Sequence, residues 1–408
     1  MKSLPSATTI TQAIVSILIL LGIAHAAGAR ETILHSFAGG TDGAEPIGGL
    51  VSGPNGHLYG TTSGGGNGAC QDGCGTVFEL SPNGDGTWTE TQIYSFASED
   101  DGAFPNTGVI FDQSGNLYGA TIYGGTNDDG TVFRLTPPAN PGAAWIHTVL
   151  YNFVGDLDGE YCLGNLTIDP AGNLYGAALF GGLYGGGTIF QLVPPQQQQT
   201  WTLNVLHAFQ GTNDGLDPFG AVVLDSRGAV YGTTYSGTVF RLQPPSPGQT
   251  AWSMHVLYRL ESIAAVGPLL VGHPTALYGT TALGGATNDG TVFQLTPPTQ
   301  PGTSWNATTL YEFKGGADGW YPLNGLVADR SGRLYGVTAS GGAFDSGTVF
   351  RLSPRQGGSW TKTTLYQFKG GFDASGPGAG VILGQRALYG TTSSGGLSNL
   401  GTVFQLAP

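Results

Sequence analysis

Six aspartates recur along the chain in similar surroundings, and five of them are followed directly by glycine. They are Asp42, Asp101, Asp158, Asp214, Asp318 and Asp373. An Asp-Gly pair is ordinary turn chemistry, because the carboxylate accepts backbone hydrogen bonds and glycine adopts a positive φ. A set of carboxylates at one end of a fold also suits Ca²⁺, which prefers oxygen ligands. The turn interpretation is favoured, because no copy has the closely spaced carboxylates of a calcium loop. We therefore predict no metal site, and Ca²⁺ is the one cofactor left open.

Aromatic residues stand beside some of these carboxylates and depart from the recurring pattern. Such departures are where a repetitive chain is expected to carry a specific site. An aromatic ring can stack on a sugar while a carboxylate accepts its hydroxyl protons. We predict ligand-binding roles for Tyr161, Asp217, Phe219, Trp320 and Tyr321. The alternative is that these aromatics only cap the edges of the repeating units.

An enzyme would have to draw its catalytic groups from the same set. Two carboxylates among Asp158, Glu160 and Asp318 are candidates for the acid and base of glycoside cleavage, provided that their separation suits. The sequence contains no G-x-S-x-G, H-E-x-x-H or phosphate-binding loop. The sequence therefore favours binding over catalysis.

The elements that position these residues come from a repeat of about 50 residues. Its best-preserved parts are an [LV]YG core and a GT[VI]F run, each present in seven copies. The core tyrosines are Tyr59, Tyr118, Tyr175, Tyr231, Tyr278, Tyr335 and Tyr389. Because these aromatics recur in every copy, we expect them to pack between units rather than to form one site.

Four strands are predicted in each unit. In the second unit they cover Gly108–Phe111, Asn116–Thr121, Thr131–Leu135 and Trp145–Phe153. Seven units of four antiparallel strands predict an all-β, seven-bladed β-propeller, because a closed ring leaves only short edges. A parallel β-helix fits less well, since its coils are shorter than this period.

The seventh unit lacks its fourth strand, and the missing strand is predicted at the other terminus. The segment Glu31–Phe37 (ETILHSF) matches Glu90–Phe96 (ETQIYSF), the fourth strand of the first unit. We expect it to pair with Gly401–Leu406 and to close the ring within one blade.

Residues 1–29 stand apart from the repeats and are predicted to be a signal peptide. Lys2 precedes an apolar run at Ala13–Ala26, which is short for a membrane span and is followed by small residues. Residues 30–408 are then a single propeller domain. We expect a secreted, extracellular monomer without a membrane span in the mature chain. The net charge of −13 disfavours nucleic acid as a partner.

Three cysteines fit an oxidising compartment. Cys70 and Cys74 share one loop and are the favoured disulfide pair, whereas a pairing that includes Cys162 is the main alternative.

The pattern [LV]YGTT…GG…GT[VI]F…W…LYxF resembles the GloVer tandem repeat and covers residues 31–408. The resemblance implies export from a bacterium but no established activity. Many members of the family carry a C-terminal surface anchor. Because this sequence ends on its last repeat without such a segment, we expect a free secreted form.

These observations predict a secreted propeller that binds an extracellular glycan or a cell-surface component. The first alternative is a polysaccharide-degrading hydrolase or lyase that uses the carboxylates named above. The second is a structural protein of the envelope or matrix.

Overall fold

Each repeat folds into one antiparallel sheet of four strands, and seven such sheets form a β-propeller. The computed structural model describes residues 29–140, 142–196, 200–211, 213–260, 267–272, 276–300, 304–322 and 324–407. Within six of the sheets the strands follow in chain order, from a two-residue first strand to the longest, fourth strand. The predicted seven-bladed, all-β architecture is confirmed.

The first three blades are formed by the following strands. Blade 1 contains β2 (Val51–Ser52), β3 (Leu58–Thr62), β4 (Thr76–Pro82) and β5 (Trp88–Ser95); blade 2 contains β6 (Ile110–Phe111), β7 (Leu117–Ala120), β8 (Thr131–Thr136) and β9 (Ile146–Asn152); blade 3 contains β10 (Thr167–Ile168), β11 (Leu174–Ala178), β12 (Thr188–Val193) and β13 (Thr202–Ala208).

The other four blades repeat this order. Blade 4 contains β14 (Val223–Leu224), β15 (Val230–Thr233), β16 (Thr238–Gln243) and β17 (Ser253–Arg259); blade 5 contains β18 (Leu270–Val271), β19 (Leu277–Thr281), β20 (Thr291–Thr296) and β21 (Asn306–Glu312); blade 6 contains β22 (Val327–Ala328), β23 (Leu334–Thr338), β24 (Thr348–Pro354) and β25 (Trp360–Gln367); blade 7 contains β27 (Ile382–Leu383), β28 (Leu388–Thr392), β30 (Thr402–Ala407) and β1 (Arg30–Ser36).

The remaining regular structure is short. A two-stranded sheet pairs β26 (Ala374–Ser375) with β29 (Ser394–Gly395), and three 3-10 turns cover Gly40–Asp42, Pro54–Gly56 and Gly316–Asp318. None of the described residues form a helix with the length and apolarity needed to cross a bilayer.

The closing strand lies where the sequence predicts it. β1 pairs antiparallel with β30, with Ile33 opposite Phe404 and Glu31 opposite Leu406. The backbone N–H of Phe37 extends the pairing by donating to the carbonyl of Gly401 at 3.0 Å. Blade 7 therefore combines β1 with strands from the last repeat, and the predicted closure within one blade is confirmed.

The [LV]YG and GT[VI]F motifs recur together because they face each other across two strands. In blade 2, Gly119 lies opposite Phe133 in the register of β7 and β8. A Cβ atom on Gly119 would lie 2.5 Å from the Phe133 ring, closer than packed atoms can approach. The glycine is thus required by the bulk of its cross-strand partner.

Phenylalanine pairs join successive blades. At six of the seven blade boundaries, the phenylalanine after the fourth strand packs edge-to-face on the GT[VI]F phenylalanine of the next blade, with ring centroids 5.1–5.3 Å apart. The six pairs are Phe37–Phe78, Phe96–Phe133, Phe153–Phe190, Phe209–Phe240, Phe313–Phe350 and Phe368–Phe404. Between blades 4 and 5, Leu260 packs in the same cluster as Phe293. The predicted role of the recurring phenylalanines in packing between units is confirmed.

Two sets of loops meet at one end of the ring, which we call the mouth face. It holds the loops between the second and third strands of each blade and the loops that lead from one blade to the next. Backbone bridges join the two sets, for example between Ala103 and Tyr123, Glu160 and Phe180, and Trp320 and Ser340. The glycine-rich loops and the aspartate turns therefore lie on the same face of the ring.

The cysteines follow the favoured pairing. Cys70 and Cys74 form a disulfide within the mouth-face loop of blade 1. Cys162 is a free, buried thiol, and burial raises its pKa to about 12. It therefore packs as a small apolar side chain, and the alternative pairing is not formed.

Candidate functional site

The six recurring aspartates hold the turns that join the blades. Each accepts the backbone N–H four residues earlier and the tyrosine hydroxyl or histidine nitrogen seven residues earlier, on the preceding fourth strand. At Asp158 these partners are Val154, with an N···O distance of 3.0 Å, and Tyr151, with an O···O distance of 2.6 Å. These contacts support the turn interpretation.

Two of the candidate catalytic carboxylates are far apart in the ring. Asp158 lies between blades 2 and 3 and is only 4% exposed, whereas Asp318 lies between blades 5 and 6. Lys362 Nζ donates to Asp318 Oδ1 at 2.8 Å, and its side chain is 4% exposed. Three blades separate the two aspartates, and both carboxylates already have hydrogen-bond or ion-pair partners. The structure does not bring them together as an acid and base.

Three of the five predicted binding residues occupy one recurring position, three residues after a loop aspartate. Its non-glycine residues adopt a left-handed backbone with φ of 55–66°. They are Glu45, Phe104, Tyr161, Asp217 and Tyr321. Such a conformation is uncommon outside glycine, and its recurrence presents a side chain at the mouth at five of the seven blade boundaries. The sequence analysis identified Tyr161, Asp217 and Tyr321 and missed Glu45 and Phe104.

Tyr161 belongs to an arc of aromatic rings that crosses the mouth of blades 2 and 3. Tyr123 lies between Phe104 and Tyr161, with centroid distances of 5.9 and 5.0 Å, and Phe180 lies 5.8 Å beyond Tyr161. Tyr123 and Phe180 are each 39% exposed, so the arc presents ring surface to solvent. Neither residue was predicted from the sequence. Each is an aromatic residue directly before the Gly-Gly of its loop, and this feature could have identified them. The corresponding residues of blades 1, 6 and 7 are Gly64, Ser340 and Ser394.

Carboxyl groups line one side of this aromatic arc. The carboxyl groups of Glu160 and Asp129 lie close enough to interact with each other. Burial and the charge of Asp129 raise the pKa of Glu160, and burial also raises the pKa of Asp129. Asp128 and Asp156 add further negative charge beside Asp129. Glu160 is the one candidate catalytic carboxylate that lies next to exposed aromatic rings.

The other predicted binding residues form separate groups. Trp320 packs on Tyr321 at 5.8 Å, and its Nε1 donates to Asp345 Oδ1 at 3.3 Å. Phe219 lies against Ala282 together with Tyr321, and burial raises the pKa of Asp217. These residues lie on the mouth face of blades 4 to 6, apart from the aromatic arc.

A narrow cavity of about 310 Å³ runs along the axis of the ring. All seven blades contribute to its lining, largely through glycine, alanine and asparagine, and Phe219 is among the lining residues. Buried atoms of two lining side chains, Asn106 Oδ1 and Asn324 Nδ2, have no hydrogen-bond partner. The cavity is at the lower end of the size range of ligand pockets, so the broad mouth is the better place for an extended ligand.

Glu31 provides a test of the electrostatics between blades. Burial and the charge of Asp373 raise the pKa of Glu31 from 4.5 to about 7. Because the folded state disfavours the charged form, this group costs stability as pH rises from 4.5 to 7, and the cost is complete above pH 7. We expect Glu31→Gln to raise Tm at pH 8 by roughly 2–4 °C, which corresponds to about 1 kcal/mol after allowance for solvent screening.

The measurement is a pair of thermal melts at pH 8 and about pH 3.5. The gain in Tm should be present at pH 8 and nearly absent at about pH 3.5, where Glu31 is largely protonated in both the folded and the unfolded state. Glu99→Gln, at an exposed loop residue, is the matched control and should change neither melt. A gain of equal size at both pH values would contradict the assignment.

Comparisons with known proteins agree with the repeat. The model of the Gloeobacter/Verrucomicrobia repeat matches residues 23–240 and 235–408. No curated protein matches the chain in sequence.

Three solved structures are among those similar to the chain. A Bacteroides uniformis ATCC 8492 protein, provisionally described as a 6-phosphogluconolactonase, is 15% identical, with a TM-score of 0.49 over 78% of this chain and 84% of its own. A protein provisionally described as a gluconolactonase is 13% identical, with a TM-score of 0.41 over 93% and 92%. A Thermus thermophilus protein, provisionally described as an oxidoreductase (glucose dehydrogenase), is 15% identical, with a TM-score of 0.44 over 83% and 100%. At these scores none of the three informs the function.

Proposed function

The chain belongs to the Gloeobacter/Verrucomicrobia repeat family, and we propose that this member is a secreted, monomeric propeller that binds an extracellular glycan at its mouth face. Two further observations are compatible with export. Residues 1–29 have the pattern of a signal peptide, although residues 1–28 lie outside the described part of the chain, and a Cys70–Cys74 disulfide suits an oxidising compartment.

The observation that carries the proposal is the aromatic arc of Phe104, Tyr123, Tyr161 and Phe180. Its rings lie 5.0–5.9 Å from their neighbours in edge-to-face pairs, so a chain of sugar units can contact successive rings along it. Two of these rings are 39% exposed, so burying them under a ligand removes apolar surface from water. The neighbouring pair of Glu160 and Asp129 supplies oxygens that accept hydrogen bonds from sugar hydroxyls.

The charge at the mouth selects among glycans. The carboxyl groups of Glu160 and Asp129 lie near Tyr161, Asp128 and Asp156 add negative charge near Asp129, and the chain has a net charge of −13. A uronate or sulfated polymer would be repelled, whereas a neutral or amino-sugar polymer would not. The proposed ligand is therefore a neutral or cationic polysaccharide.

Glycoside hydrolysis is less well supported by the same geometry. Retaining and inverting glycosidases hold their two carboxyl groups about 5–5.5 Å or about 6.5–9.5 Å apart, so that sugar or water fits between them. Asp158 and Asp318 lie three blades apart and already have partners, so they do not form such a pair. The alternative of a structural envelope protein predicts neither binding nor product release.

The test is to incubate the mature chain with neutral, amino-sugar and acidic polysaccharides. Retention in affinity gels reports binding, and new reducing ends and unsaturated uronate absorbance report cleavage. We expect retention on a neutral or amino-sugar polymer without product. Release of product would favour the hydrolase or lyase, and a lack of both signals on every polymer would reject the proposal and leave the structural alternative.

A further inference from the structure

One position on the fourth strand lies beside the aspartate of the turn that precedes its blade in blades 1, 2, 6 and 7. It is fixed by register, because its residue always lies opposite the leucine of the third strand. From blade 1 to blade 7 the residues are Glu90, His147, Leu203, Met254, Ala307, Lys362 and Glu31. This interblade position therefore varies in charge while its surroundings repeat.

At two blade boundaries a lysine compensates the negative charge beside this interblade position. At blade 6 it holds Lys362, whose ammonium group donates to Asp318 at 2.8 Å. At the boundary of blades 6 and 7, Glu31 lies near Asp373, and Lys369 supplies the positive charge. At the boundary of blades 7 and 1 the residue is Glu90, near Asp42, and Ala38 stands where Lys369 stands in the preceding repeat. Two carboxylates here have only a histidine beside them.

That histidine, His35, completes a cluster at the closing seam of the ring. Its Nε2 lies 2.8 Å from Asp42 Oδ1, and one ligand atom from each of His35, Asp42 and Glu90 lies within 4.8 Å of the other two. Among the described residues this is the one trio of histidine, cysteine or acidic side chains with that property. His35 and Asp42 belong to blade 7 and the turn after it, and Glu90 belongs to β5 of blade 1.

Glu90 has an unsatisfied atom in this cluster. Its Oε1 is buried and has no hydrogen-bond partner, which is costly for a carboxylate unless a cation or proton compensates it. Burial and the charge of Asp42 raise the pKa of Glu90 to about 7. A bound cation would satisfy the oxygen and relieve the repulsion between the two carboxylates.

We propose that His35, Asp42 and Glu90 form a binding site for a divalent transition-metal ion, of which Zn²⁺ is the probe, that fastens the closing strand to blade 1. One imidazole and two carboxylates with a water are a three-ligand zinc set. The imidazole selects against Ca²⁺ and Mg²⁺, which take oxygen ligands. In a tetrahedral site with bonds of about 2.0 Å the ligand atoms lie about 3.3 Å apart, so small side-chain rotations bring this trio into place. The side chains of His35 and Asp42 are 20% and 23% exposed, which leaves a solvent side for the water.

The chain contains a matched pair that lacks the third ligand. His207 Nε2 lies 3.0 Å from Asp214 Oδ2 at the boundary of blades 3 and 4, in the same repeat positions as His35 and Asp42. The interblade position there is Met254, which offers no carboxylate. Tyrosine occupies the histidine position in other blades, as at Tyr94 and Tyr151, where it bonds the turn aspartate. Replacement of a histidine by tyrosine at this position is thus compatible with the fold.

The test is calorimetric titration of Zn²⁺ into the chelator-treated mature chain and three variants. The wild type should bind one ion per chain, and saturation should raise Tm by on the order of 5 °C. His35→Tyr should abolish this binding, and Glu90→Met, which copies blade 4, should weaken it at least about tenfold. His207→Tyr, the same change at the incomplete pair, should leave both affinity and stoichiometry unchanged.

Three results would overturn the proposal. They are the lack of a stoichiometric Zn²⁺ site in the wild type, binding that survives in His35→Tyr, and a loss in His207→Tyr as large as that in His35→Tyr. Each variant is checked first for a cooperative melt in the presence of chelator. The proposal does not depend on glycan binding, which is measured separately on the mouth face.

Discussion

Deletion of residues 30–37 is expected to abolish the cooperative melt of the mature chain near its normal Tm. The deletion removes the fourth strand of blade 7, exposes β30 as an unpaired edge and takes away the Phe37–Phe78 contact between blades 7 and 1. Loss of one buried phenylalanine alone costs about 3–5 kcal/mol, and a domain has only about 5–15 kcal/mol in all. The measurement is thermal and chemical unfolding followed by circular dichroism.

A permuted chain distinguishes the location of the strand from its mere presence. In this control the chain starts at Ala38, and residues 30–37 are attached after Ala407 through a linker copied from residues 355–359, which join β24 to β25. Blade 7 then contains all four strands in chain order, as the other blades do. We expect this variant to recover a cooperative melt. An unchanged melt of the simple deletion would show that the seam contributes little to stability.

The repeat pattern predicted the strands well, and the one large difference between predicted and observed bounds has a physical cause. The first strand of blade 2, predicted at Gly108–Phe111, is observed only at Ile110–Phe111. A Cβ atom on Gly108 would lie 2.4 Å from the carbonyl oxygen of Gly49 in blade 1, so this segment packs on a neighbouring blade instead of pairing within its own sheet. Backbones crowd near the ring axis because all seven blades meet there. The sequence of a single repeat therefore does not predict this shortening of the first strand.

The candidate site was less predictable, because it depends on contacts between blades. Tyr161 was identified as a departure from the repeat, but its neighbours Tyr123 and Phe180 belong to two other loops. Likewise, Glu90 meets His35 only because the N-terminal strand closes the ring. A repeat pattern shows which residues vary from copy to copy. It does not show which variable residues of different copies face each other.

The aromatic arc should dominate the affinity for whichever polysaccharide the mature chain retains. We expect Tyr161→Ala to weaken binding about tenfold to 100-fold, because an aromatic at the centre of an interface commonly contributes about 1.4–2.8 kcal/mol. Tyr161 contacts rings on both sides, so its loss divides the arc. The double variant Tyr123→Ala and Phe180→Ala should reduce binding below detection in affinity gels. Affinity electrophoresis over a range of polymer concentrations gives the dissociation constants.

Conservative and distant substitutions separate stacking from general damage to the mouth face. Tyr123→Phe keeps the ring and should retain most of the affinity, whereas Tyr123→Ala should not. Tyr235→Ala removes an exposed ring that packs with Phe219 in blade 4, away from the arc, and should leave binding unchanged. Trp320→Ala tests the second aromatic group predicted from the sequence. If binding falls with Trp320→Ala and survives Tyr161→Ala, the glycan lies over blades 5 and 6, and the arc is not the site. If it falls with both, one polymer spans the mouth, which the ring geometry allows only for a chain of several sugar units.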